Sequence, residues 1–155
     1  MKANSKLSKF NLIILALFAV SVVGLKIWQY HWSDAVVEIK GEQLRVLVAK
    51  TPYQQKKGLG KRDSLGEYQG MLFVFSLPGR IAMVMRDMKF PIDIVWLNGT
   101  KVIDIAPNVQ TEDVPEEDLA VYYPRKAANL VLELPAGWAE EHDLRIGDVL
   151  TVVQE

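Results

Sequence analysis

Hydrophobic positions fall into two regimes along the chain. From Phe10 to Ile27 only Asn11, Ser21 and Lys26 are polar, and the 14 residues Leu12 to Leu25 are the apolar heart of that stretch. An apolar stretch of this length predicts a helix about 27 Å long, close to the roughly 30 Å hydrocarbon core of a bilayer. Trp28, Tyr30 and Trp32 follow at once, and such rings favour the membrane interface. Lys2, Lys6 and Lys9 precede it and favour the cytoplasmic side. The pattern predicts an N-terminal membrane anchor or signal segment over residues 1–32. Its partner is the lipid bilayer, through residues 10–27, and the domain of residues 33–155 lies outside the cell membrane. A cleaved signal peptide, giving a secreted domain, is the alternative, although a small-x-small cleavage site close behind the apolar run is missing.

From residue 33 the pattern changes to short runs broken by turn residues, with seven prolines and nine of the ten glycines. "AVVEIK" and "QLRVLVAK" flank Gly41 and Glu42 and read as a hairpin. "TPYQQKKGLG" offers Thr51 as an N-cap, Pro52 at the first helical position and Gly58 or Gly60 as a stop, which predicts a short helix. "GMLFVFS" and "IAMVM" read as strands. "FPIDIVWL" and "KVIDIAP" form a hairpin about Asn98-Gly99 with type I′ geometry. "VPEEDLA" reads as a short acidic helical turn, "ANLVLELP" as a strand, "AGWAEEHDL" as a short helix and "VLTVV" as the last strand. No long helices separate the strands. The fold expected is mainly β: a small closed or nearly closed antiparallel β-barrel, or a sandwich, with two or three short helices, preceded by one N-terminal transmembrane helix.

Composition then narrows the chemistry. The chain has no cysteine, which removes disulfides, thiolate catalysis and thiolate metal sites. Residues 1–32 hold four basic and no acidic side chains, so the rest carries 18 − 4 = 14 basic and 19 acidic, a net of −5. So acidic a domain is a poor match to nucleic acid. Ser and Thr are few, no nucleophile elbow or phosphate-cradling glycine pattern occurs, and no cofactor is indicated.

One carboxylate stands out. Asp93 lies between Phe90-Pro91-Ile92 and Ile94-Val95-Trp96-Leu97, a run that reads as a strand buried on both faces. Unpaired burial of a charge costs several kcal/mol, so Asp93 needs local partners. Arg62, Arg86 or loop N–H groups can serve. As a functional group it is a tuned acid, base or ligand. As a structural one it ties the strand to a neighbouring loop or to Arg62, and this reading is preferred.

"GLGKR" (58–62), "GMLFVF" (70–75), "MVMRDMKFPIDIVWL" (83–97), "KVIDI" (101–105), "VLELPAG" (131–137) and "IGDVL" (146–150) occur in one order across residues 43–153. On these segments the chain resembles the DUF192 family, also called UPF0127. The resemblance implies a compact β fold, often exported or membrane-tethered, and supplies no reaction. This chain departs at two positions. Gly60 stands where the family usually has Met, and Val84 where it usually has Trp.

Three functions are therefore expected in order. The first is a binding or structural module for a protein or small ligand, with a groove near Arg62, Met85, Arg86, Asp93 and Trp96. The second is a hydrolase-type enzyme using Asp93 with Arg62. The third is a methionine-based metal module on Met83, Met85 and Met88, although core filling is the preferred reading of these methionines. His31 and His142 are isolated, and "EEHD" at 140–143 reads as a solvated helix end.

Overall fold

The computed structural model describes residues 9–30 and 32–154, and the chain divides into two compact units between residues 31 and 32. Among its described residues the first unit holds one helix, α1 (Lys9–Tyr30). Among the described residues no helix is long and apolar enough to cross a membrane. The apolar stretch between Asn11 and Lys26 is 14 residues, about 21 Å at helical rise and short of a roughly 30 Å core. This finding overturns the expected transmembrane helix, and with it the single-pass, extracytoplasmic placement. Lys2, Lys6, His31 and the side chains of Lys9, Trp28 and Tyr30 lie outside the described residues. Trp32 belongs to the second unit, where it packs against the core and lies beneath the Arg62 guanidinium at 5.6 Å.

The second unit is one seven-stranded sheet. Its strands are β1 (Ser33–Ile39), β2 (Glu42–Ala49), β3 (Gly70–Gly79), β4 (Ile92–Asn98), β5 (Lys101–Val109), β6 (Ala128–Pro135) and β7 (Thr151–Gln154). Their order is β5-β4-β6-β3-β2-β1-β7. The sheet is not closed, which corrects the expected barrel. An isolated bridge between Lys101 and Val149 joins the segment before β7 to the start of β5 without completing a ladder. Nor is it all antiparallel. β2 and β3 run parallel, which needs a long crossover, and residues 50–69 with helix α2 (Pro52–Lys57) supply it. "IAMVM" is no strand either: it contributes one bridge, Met83 to Tyr122.

Local chemistry explains the elements. Thr51 caps α2 in a capping box with Gln54, and Pro52 occupies the first turn. Lys40 and Gly41 both have positive φ, the type I′ pattern, and turn β1 into β2. In the β4–β5 hairpin only Gly99 has positive φ, with Asn98 paired to Lys101. The loop is therefore Gly99-Thr100 in the II′ pattern, one position later than expected. A 3-10 turn (Glu116–Asp118) and helix α3 (Trp138–Glu141) complete the unit.

β4 and β6 lie inside the sheet with both faces buried, and alternation sorts their side chains between two cores. Val95, Leu97, Leu132 and Leu134 join Val37 and Val46 on one face. Ile94, Trp96 and Val131 join Met71, Phe73 and Met85 on the other. Gly70 opens β3 where a Cβ would overlap the Glu133 carbonyl oxygen and also press on Leu134. Because backbone cannot yield cheaply, Gly70→Ala is expected to cost at least about 2 kcal/mol in urea unfolding. An unchanged midpoint would show that β3 and β6 have room there.

Candidate functional site

Two buried carboxylates occupy the central strands, on opposite faces. Asp93 shares the parity of Val95 and Leu97; Glu133 shares that of Val131 and sits opposite Ile94 and Met71. The side chains therefore serve different surroundings, although their strands are adjacent.

Asp93 is 0 % exposed. Its Oδ1 accepts from the Asn108 N–H at 2.7 Å and the Gly137 N–H at 3.1 Å, and its Oδ2 from the Ala139 N–H at 2.7 Å. Three backbone amides thus satisfy the carboxyl oxygens, and among the described residues no arginine takes part. They come from the end of β5 and from the turn into α3, so one side chain ties β4 to both. This leaves Asp93 sealed, with both oxygens occupied.

Of the partners expected for Asp93, the loop N–H groups hold it and Arg62 and Arg86 do not; a guanidinium–carboxylate pair forms elsewhere. Arg125 donates to Asp104 on β5 through Nε and Nη2, at 3.0 and 2.6 Å, and its backbone N–H adds a bond of 2.7 Å. The Arg125 guanidinium holds the Asp104 carboxyl below the usual range, against the opposing effect of burial. Arg62 instead lies over Trp32, and its buried Nε has no hydrogen-bond partner among the described residues. Trp96 is a core residue whose Nε1 donates to the Ile81 carbonyl at 2.9 Å. Met85 is fully buried beneath the surface.

Glu133 is 5 % exposed, and its Oε2 is buried without a hydrogen-bond partner among the described residues. Burial pushes its carboxyl up to about 8, so it holds a proton at neutral pH. A protonated carboxyl is a donor as well as an acceptor. Glu133 lines a cleft of about 320 Å³ between the end of α2 and the 82–88 segment. Phe73, Leu59, Met83 and Met88 give the cleft apolar walls, and Lys56, Lys57 and Arg86 give it cations. A second hollow shares Lys56, Lys57, Gly60 and Arg86 and adds Tyr53, Lys61 and Asp87.

Arg86 is the one residue expected at the site that lines this cleft. Its Nη1 donates to the Lys56 carbonyl at 3.1 Å and its Nη2 meets Glu116 at 2.6 Å, while its buried Nε lacks a partner among the described residues. Both departures from the family pattern are here too. Val84 lines the cleft where a tryptophan is usual. At Gly60 a Cβ would come within 2.8 Å of the Arg86 carbonyl oxygen, so glycine lets this turn close on the 86–87 backbone. The Lys61 N–H then donates to the Asp87 carbonyl at 2.8 Å.

The sequence reading did not single out Glu133. Its signal was the one that marked Asp93: a carboxylate flanked by Val131, Leu132 and Leu134 inside a strand. Among the described residues no three Asp, Glu or His side chains gather as a metal site. His142 stacks on Trp138 at 4.0 Å, and its Nδ1 lies 2.8 Å from the Trp138 carbonyl oxygen.

Comparison with known proteins adds family and fold. The model of the family DUF192, described as an uncharacterized ACR, matches residues 35–152. No curated protein matches the chain. A crystal structure from Sinorhizobium meliloti 1021, provisionally described as a transcription regulator, is similar at a TM-score of 0.69 and 27% identity. The match covers 78% of this chain and 95% of that one. A protein of unknown function from Novosphingobium aromaticivorans DSM 12444 is similar at a TM-score of 0.64 and 27% identity, covering 77% and 84%.

Proposed function

The chain belongs to the DUF192 family, and we propose that its β domain is a binding module for a small ligand, taken up in the cleft that Glu133 lines. The observation that carries this reading is Glu133, a buried residue lining the cleft, with one carboxyl oxygen left without a partner among the described residues. An unmade hydrogen bond on a buried polar group costs about 1–3 kcal/mol, and a ligand that supplies the bond recovers it. A small apolar cavity with a few polar groups is the usual form of a ligand site, and 320 Å³ is near the lower end of that class.

Less supports a hydrolase built on Asp93 with Arg62. Both Asp93 oxygens are taken by amides, and Arg62 lies over Trp32. An acid or base needs access to a reacting group. The provisional description of the Sinorhizobium relative does not lead us to nucleic acid here, since residues 33–155 carry 14 basic and 19 acidic side chains.

The test is an amide NMR titration of the labelled protein with hexan-1-ol, hexanoate and hexylamine, each alone at millimolar concentration. At least one is expected to shift Gly58, Gly60, Met83, Val84 and Glu133 together. Val84→Trp, which fills the cleft, is expected to abolish those shifts while leaving the remaining spectrum folded. If none of the three moves these amides, the cleft is not a ligand site.

A further inference from the structure

Resting on that reading of the cleft, we propose that its ligand is an organic carboxylate. Its head meets the Arg86 guanidinium and the Lys56 and Lys57 ammonium groups, and its short apolar tail lies on Phe73 and Met83. Charge around the opening selects the sign. Around the cleft and the two hollows that adjoin it stand Lys56, Lys57, Lys61, Arg86 and Lys89 with Asp87, Glu112, Asp113 and Glu116. Asp87 pairs with Lys61 at 3.5 Å and Glu116 with Arg86 at 2.6 Å. Lys56 and Lys57 are exposed and form no ion pair among the described residues. Glu112 and Asp113 line only the third hollow, so the cleft mouth itself is left positive by Lys56 and Lys57, on a domain whose net charge is −5.

The donors agree. Arg86 is held by the Lys56 carbonyl and Glu116 through its terminal nitrogens, which leaves the buried Nε–H as an unused donor. Glu133 in its protonated form offers a second donor. Two donors suit an acceptor-only head with two oxygens. An ammonium ligand would meet uncompensated cations at the rim and would need Glu133 ionised against its burial. A neutral alcohol would leave the rim charges unused.

The same three probes, titrated to completion at neutral pH, test this. Hexanoate is expected to bind at least about tenfold more tightly than hexylamine or hexan-1-ol. In the K56Q/K57Q double variant, whose changes are on exposed side chains, hexanoate is expected to weaken about tenfold and hexan-1-ol to stay as it was. Hexylamine or hexan-1-ol binding more tightly than hexanoate would overturn the carboxylate assignment and leave the cleft a ligand site. Equal hexanoate affinity in the double variant would also overturn it. Silence from all three probes defeats the binding reading itself.

Discussion

Replacing Glu133 with glutamine is expected to raise the stability of the protein at pH 9 by several kcal/mol and to change it little at pH 4. The carboxyl is raised from an ordinary 4.5 to about 8 by burial alone. Between those values the folded state keeps a proton that the unfolded chain gives up. Stability therefore falls as pH rises from about 4.5 to about 8 and is level above that, because the ionised form must be buried without a partner. A shift of this size corresponds to a loss on the order of 5 kcal/mol. Glutamine has a similar shape and does not ionise, so the loss disappears. Urea unfolding of both proteins across pH 4 to 9 checks this. Other groups, such as Asp104, contribute equally to both curves and cancel in the difference. Parallel curves would mean that Glu133 ionises in the folded protein as it would in water.

Asp93→Ala is the second large effect. It strands the N–H groups of Asn108, Gly137 and Ala139 in a sealed site. Each buried donor left unmade costs about 1–3 kcal/mol, and the carboxylate bond is stronger than a neutral one. A combined loss on the order of 3–5 kcal/mol is expected in urea unfolding. The damage should be local first. Hydrogen exchange at Asn108 and Ala139 should speed up well before that of β3, because Asp93 fastens the end of β5 and the turn into α3. If stability and exchange at these amides are both unchanged, Asp93 is not the tie between β4 and these segments.

The contrast between the two carboxylates also shows what the sequence could reveal. Short-range features were readable because their causes are local. Thr51 and Pro52 announce α2, Gly41 announces the first hairpin although its turn is Lys40-Gly41 and not Gly41-Glu42, and the need of Asp93 for partners follows from its apolar flanks. Which partners it finds is a matter of distant chain. The Gly137 and Ala139 amides lie 44 and 46 residues away, and no local pattern announces them. Strand order has the same character. β6 inserts between β3 and β4, and β2 pairs parallel with β3, so alternation alone could not separate an open sheet from a barrel. Glu133 was missed for a further reason. It lies in a strand buried on both faces, where a cleft forms only when α2 and the 82–88 segment fold over the sheet. Arg62 and Asp93 were matched by charge, yet Trp32 claims the arginine and Arg125 finds Asp104 instead.

The carboxylate assignment for the cleft depends on Glu133 being uncharged at neutral pH. Following the side-chain carboxyl carbon of Glu133 by NMR from pH 4 to 10 measures that directly. A midpoint near 8 is predicted. A midpoint near the ordinary 4.5 would put a charged group in the cleft lining and contradict the account.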